Sequence, residues 1–169
     1  MLKFFAPQKI TCWCTPFSGE QSVSNMGVCL VQNYMLQVGK EIGIVKDNPR
    51  LLVIVSHSFV EMMVKSLLDY HIPEAKLKNH YQRLEILKQK SVIDDFQFKL
   101  YDWFRELRND AVHTPIFRLK DSDFHALHNL VKKDQLGVDN FHSFSLKLIA
   151  ELWNKNLDVL GEAYLSKYC

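Results

Sequence analysis

The sequence predicts an all-α protein, an up-and-down bundle of about five or six helices in one domain. Apolar residues recur every three or four positions through most of the chain, as they do along one face of an α-helix. Glycine and proline are scarce, 6 and 5 among 169 residues, which leaves few of the turns that a sandwich of short strands requires. The stretches between periodic segments are short, which favours antiparallel neighbours. With 47% hydrophobic residues, a chain of this length can bury a sizeable core.

Residues 1 to about 20 show no periodicity, and "KITCWC" reads as a short strand or an irregular arm. From Val23, the spacing of Val23, Met26, Leu30, Tyr34, Val38 and Ile42 predicts a first helix, weakened at its end by Gly39 and Gly43. This divides the chain into an N-terminal arm with the first helix, 1–45, and the main bundle, 46–169. In "KDNPR", Asn48 suits an N-cap and Pro49 the first helical position. The second helix runs to about Tyr70 with Leu52, Val55, Phe59, Met63 and Leu67 inward. Its opening "LLVIV" is apolar all round and predicts a central place in the fold.

"HIP" at 71–73 ends that helix. A third, more polar one is expected from about Glu74 to Lys90, with Leu77, Tyr81, Leu84 and Leu87 inward. Ser91, Asp94 and Asp95 supply capping groups for a fourth over about 94–113. Its stripe is Phe96, Leu100, Trp103, Leu107 and Ala111. "DSD" at 121–123 opens a fifth helix to about Asp134, broken at Gly137. The last runs from about Asn140 to Tyr168, with Phe141, Phe144, Leu148, Leu152, Val159 and Ala163 inward.

The net charge of +2 is low for a dedicated binder of nucleic-acid backbone and leaves transient contact with RNA open. No continuous apolar run approaches the roughly 18–20 residues that span a bilayer, and the start "MLKFFAPQKI" lacks a signal-peptide core. The expectation is a cytoplasmic protein without membrane contact. Cys12, Cys14, Cys29 and Cys169 offer neither a disulfide framework nor the paired spacing of a zinc site, so reduced cysteines and no metal or cofactor are expected.

The chemistry concentrates in "FRELRNDAVHTP", the end of the fourth helix. Asn109 and His113 are four residues apart and share a face. Arg108 and His113 are five apart, so at ~100° per residue they point roughly 140° from each other. A distorted last turn before Pro115, the reach of the arginine, or a second copy of the helix across a dimer axis would bring them together. The negative end of the helix dipole favours a cationic histidine at that position, and a histidine that exchanges protons near neutrality suits general acid–base catalysis. A permanent guanidinium can grip a phosphate with two hydrogen bonds. Such a pair contains the parts for metal-free RNA cleavage. The plainer reading is a polar helix end, since helix C-termini collect His and Arg for dipole reasons alone.

"ELRNDAVH" has the form Arg-x4-His with a polar residue directly after the arginine, at the end of a helix in the second half of a small bundle. Together with "LLVIVSHSFVEMMVKSLLDYH", "KLKNHYQRLEILKQK" and the "SVIDD" entry, it resembles the HEPN superfamily (higher eukaryotes and prokaryotes nucleotide-binding domain) over roughly residues 48–165. Many members are metal-independent endoribonucleases, often toxins or antiviral defence proteins, and work as dimers whose paired motifs line one cleft. Others have lost activity and act as regulatory or protein-interaction modules. The resemblance implies Arg108 and His113 as catalytic residues with Asn109 beside them, RNA as substrate, a homodimer, and an antitoxin protein as partner.

Arg118 and Lys120, just after the motif, are the candidates for touching the RNA backbone. Glu61 is placed to pair with Lys65 one turn on, or alternatively to orient Arg108. His57 reads as a satisfied, half-buried histidine. Asp121, His125 and His128 have a spacing that can hold a metal, but a helix cap and two surface histidines are the simpler reading. Phe96, Trp103, Phe141, Phe144 and Trp153 read as core.

Overall fold

Asn48 and Pro49 start the helix around which the molecule is arranged. In this computed structural model residues 22–75, 79–131 and 136–168 are described, with side chains between 34 and 164. The expectations for the N-terminal arm, for Val23, Met26 and Leu30, for Leu77 and for the four cysteines lie outside the described residues or side chains. The fold is all-helical. The described residues form α1 (Ser22–Val45), α2 (Pro49–His71), α3 (His80–Gln89), α4 (Asp95–His113), a 3-10 helix (Asp121–Leu127), α5 (Phe141–Lys155) and α6 (Leu157–Tyr168).

The α2 start follows the local chemistry, with Leu51 N–H donating to Asn48 Oδ1 at 3.1 Å and Pro49 in the first turn. This helix packs against α1, α3, α4, α5 and α6. By length and composition it would also cross a bilayer, although no continuous apolar run signals this. Its apolar composition matches its place as the hub of the bundle. Leu52, Met63 and Leu67 are buried as expected, whereas Val55 and Phe59 are only half-buried; Val53, Val60 and Val64 take the deepest positions. Helices press on α2 from several sides, so a single stripe underestimates its buried face.

Around this hub, α1 packs on α2, α5 and α6. Its Tyr34, Val38 and Ile42 are buried, and the Tyr34 ring stacks on Trp153 of α5, centroids 4.0 Å apart. The third helix begins later than expected. Pro73 and Glu74 form a turn, and Asn79 caps α3, accepting from Gln82 N–H at 2.9 Å. Leu84 and Leu87 are buried; Tyr81 is 41% exposed and His80 occupies the inward position.

A full capping box opens α4. Gln97 N–H donates to Asp94 Oδ1 at 2.8 Å, and Asp94 N–H donates to Gln97 Oε1 at 3.2 Å. Because this box turns Gln97 inward, Phe96 faces outward, contrary to its expected core position. Leu100, Trp103, Leu107 and Ala111 are buried, and Phe104 lies at full depth between the rings of Trp103 and Phe141.

Two further boundaries differ from the sequence reading. The fifth element is a 3-10 helix ending at Leu127, anchored by the Trp103 indole N–H donating to the Asp123 carbonyl at 2.7 Å. Asp121 does not cap it; the Asp121 carboxylate accepts from Val138 N–H at 3.3 Å. The expected last helix is divided at Asn156, whose side-chain amide donates back to the Leu152 carbonyl at 2.9 Å. Beyond that break Leu160 is buried, while Val159 and Ala163 are half-buried.

Candidate functional site

The end of α4 sends Arg108 and His113 in different directions, as their five-residue spacing dictates. The Arg108 guanidinium turns toward α2. Its Nη2 lies 3.4 Å from Glu61 Oε2, and Nη1 donates to Asn109 Oδ1 at 3.1 Å. The other Glu61 oxygen takes Arg83 Nη1 of α3, also at 3.4 Å. One carboxylate of α2 therefore bridges arginines from α3 and α4. The expected Glu61–Lys65 pair does not form. Two guanidiniums reach Glu61 from neighbouring helices, and Lys65 pairs with Asp69 at 2.7 Å instead. Arg108 remains 34% exposed.

Arg108 and Asn109 line a cleft of about 400 Å³ between α2, α3 and α4. Its other walls are His57 and Glu61 from α2, Asn79, His80 and Tyr81 from the start of α3, and Arg105 from α4. Arg105 is fixed by Asp102 at 2.7 Å and lies over the Tyr81 ring at 5.5 Å from the centroid. His57 is 1% exposed and His80 6%, so His57 is fully rather than half-buried. Nor is it satisfied, because neither ring nitrogen of either histidine is hydrogen-bonded among the described residues. Glu61 Oε2 stands 3.9 Å from His57 Nδ1, beyond hydrogen-bond reach.

Burial lowers both imidazoles. His57 falls to about 3, helped by His80, Arg108 and Arg105. His80 falls to about 4, helped by Arg83, Arg105 and Arg108. Both are neutral near pH 7, so His57 and Glu61 do not form an ion pair there.

His113 is exposed on the final turn of α4, outside the cleft, and makes no hydrogen bond or ion pair among the described residues. The chain just beyond it is held from α2. The Arg50 guanidinium donates to the Thr114 carbonyl and, at 2.8 Å, to the Pro115 carbonyl. Arg118 and Lys120 are exposed on the following segment, also outside the cleft. Of the candidate residues, the structure thus gathers Arg108 and Asn109 with Glu61, and leaves His113, Arg118 and Lys120 on open surface.

The rings of His125 and His128 lie 4.9 Å apart, yet no group of three metal-ligating side chains occurs among the described residues. Sequence reasoning passed over Arg50, Asn79, His80, Arg83 and Arg105. The three-residue step from Arg105 to Arg108 and the four-residue step from His57 to Glu61 were readable as shared helix faces. That α3 closes the cleft depends on tertiary packing.

No curated protein and no solved structure matches the chain. One family model does match, over residues 41–134, a span that takes in the end of α1, all of α2, α3 and α4, and with them the whole cleft and His113. Since the match covers more than half of the chain, the protein belongs to the family described as a domain of unknown function, DUF4145.

Proposed function

We propose that the protein is a metal-independent endoribonuclease of HEPN type, with Arg108 and His113 as catalytic residues and Asn109 orienting the arginine. The observation that carries this reading is that neither side chain is consumed by the fold. Arg108 is aimed by Glu61 and Asn109 yet stays open to the cleft, and His113 is exposed with no partner among the described residues. In the reaction, a ribose 2′-hydroxyl attacks the adjacent phosphorus as His113 removes its proton. The bond to the 5′-oxygen breaks, and that oxygen takes a proton from water, leaving a 2′,3′-cyclic phosphate and a 5′-hydroxyl. Arg108 stabilises the charge on the non-bridging oxygens. Arg118 and Lys120 provide exposed cations for the flanking strand.

Among the described residues His113 lies outside the cleft that Arg108 lines, so this reading requires a homodimer. Val112 and Ile116, on either side of His113, are 46% and 79% exposed and supply apolar surface for such a contact. The site is then composite, with His113 of one copy facing the Arg108 cleft of the other. A toxin or defence role with a protein antitoxin, in the cytoplasm, fits this activity.

The test uses purified protein and RNA in EDTA. Wild type cleaves, and His113→Ala and Arg108→Ala each lose about 10²–10⁴-fold, the range of acid–base and oxyanion contributions. Mixing the two inactive variants restores part of the activity when the site spans two copies. Equal cleavage by wild type and His113→Ala removes the assigned catalyst. A second reading, a non-catalytic regulatory or protein-interaction module, is favoured by the Arg108–Glu61 ion pair and by the position of His113 outside the cleft. It predicts no RNA cleavage by the wild-type dimer.

A further inference from the structure

His57 and His80 have no part in the cleavage chemistry, yet they form the best-buried polar group of the cleft. Their rings meet edge to face with centroids 5.0 Å apart. Each neutral imidazole carries one donor and one acceptor, and leaving all four nitrogens unbonded in a buried place costs free energy that packing does not return. The start of α3 opens onto the same space through Asn79, His80 and Tyr81, placing the positive end of a helix dipole there. The charged groups around the pair are Glu61 from α2, Arg83 from α3, and Arg105 and Arg108 from α4, with Asp102 and Glu106 of α4 pairing with Arg105 at 2.7 and 3.3 Å. Three guanidiniums thus meet three carboxylates, of which two guanidiniums, Arg105 and Arg108, and one carboxylate, Glu61, line the cleft itself.

We propose that the cleft between α2, α3 and α4 binds a phosphate-type oxyanion, seated on Arg105, His80 and the start of α3. The oxyanion is a free ion or one phosphate of a nucleic-acid strand; the recognition chemistry is the same. Binding is coupled to proton uptake. Burial holds His57 and His80 neutral and the nearby arginines add to it; bound negative charge offsets the arginines, and the oxyanion supplies the acceptors that the ring nitrogens lack. The site goes beyond the cleavage reading and stands whether or not His113 is a catalyst.

The experiment follows the histidine side-chain NMR resonances of the full chain at mildly acidic pH. Sulfate, whose charge is constant there, inorganic phosphate and a short single-stranded RNA are added separately. The expected result is a saturable shift of His57 and His80 toward imidazolium positions, with tighter binding as pH falls. Arg105→Gln weakens binding about tenfold, the loss of one charge-assisted contact, while Lys147→Gln on the far surface leaves it unchanged. A response to sulfate and phosphate identifies a free-ion site, and a response to RNA alone identifies a strand phosphate. If Arg105→Gln does not fold by circular dichroism, Asn79→Asp keeps the helix cap, puts a carboxylate at the mouth and gives the same loss. His57 and His80 resonances unmoved by all three probes, or moved equally in wild type and variant, would overturn the proposal. Failure of the cleavage reading registers separately, as activity that survives His113→Ala.

Discussion

Acidification acts on the buried histidine pair before it acts on the carboxylates. In the unfolded chain both imidazoles titrate near 6.5; in the fold they are held at about 3 and about 4. The unfolded chain therefore binds more protons across this interval, and stability is full above 6.5 and lost as pH falls toward the folded values. At about pH 5 each unfolded histidine is almost fully charged and each folded one almost fully neutral, so each removes about 2 kcal/mol relative to pH 7, or about 4 kcal/mol for the pair. Because neither is protonated in the fold at that pH, the sum is insensitive to the charge coupling between them. A domain with a total stability of about 5–15 kcal/mol will register such a loss clearly. The assay is urea unfolding at the two pH values in buffer free of phosphate and sulfate, comparing wild type with His57→Gln and His80→Gln. Each variant should remove about half of the pH-dependent loss, whatever it does to stability at pH 7. Variants that lose as much stability on acidification as wild type would refute a neutral, buried pair.

Three other perturbations follow from the packing. Phe104→Ala, at full depth against Trp103, Phe141 and His57, should cost about 3–5 kcal/mol in urea unfolding. Arg50→Met should release the Thr114 and Pro115 carbonyls, costing about 1–3 kcal/mol, and speed amide exchange just after His113 without altering exchange in α3. Asp94→Ala should remove the capping box of α4 and its Lys155 contact, lowering stability by about 1 kcal/mol, with Asp94→Ser recovering most of it.

What the sequence disclosed follows the range of the forces involved. Asn48–Pro49 and the capping carboxylate of Asp94 are local chemistry, so two helix starts were legible at residue level. The apolar period located Leu84, Leu100, Trp103 and Ala111 in the core. It misplaced Phe96 and Tyr81 because their buried neighbours, Gln97 and His80, are polar and carry no hydrophobic signal. The break at Asn156 has no proline or glycine to mark it. At the candidate site the Arg108–Asn109 step was visible on one helix. The Glu61–Arg108 contact was open as the alternative to a Glu61–Lys65 pair, whereas the pairing of Glu61 with Arg83 and the hold of Arg50 on the α4 exit join residues distant in sequence, beyond the reach of any local pattern.

The hub position of α2 has a consequence for the order in which the chain is made. This helix leaves the ribosome well before α5 and α6, two of the helices that cover it. Until they arrive, part of its apolar surface is shielded only by α1, α3 and α4. A nascent or truncated chain ending before Phe141 should therefore be prone to self-association and dependent on chaperones, because the C-terminal helices complete the cover over α2.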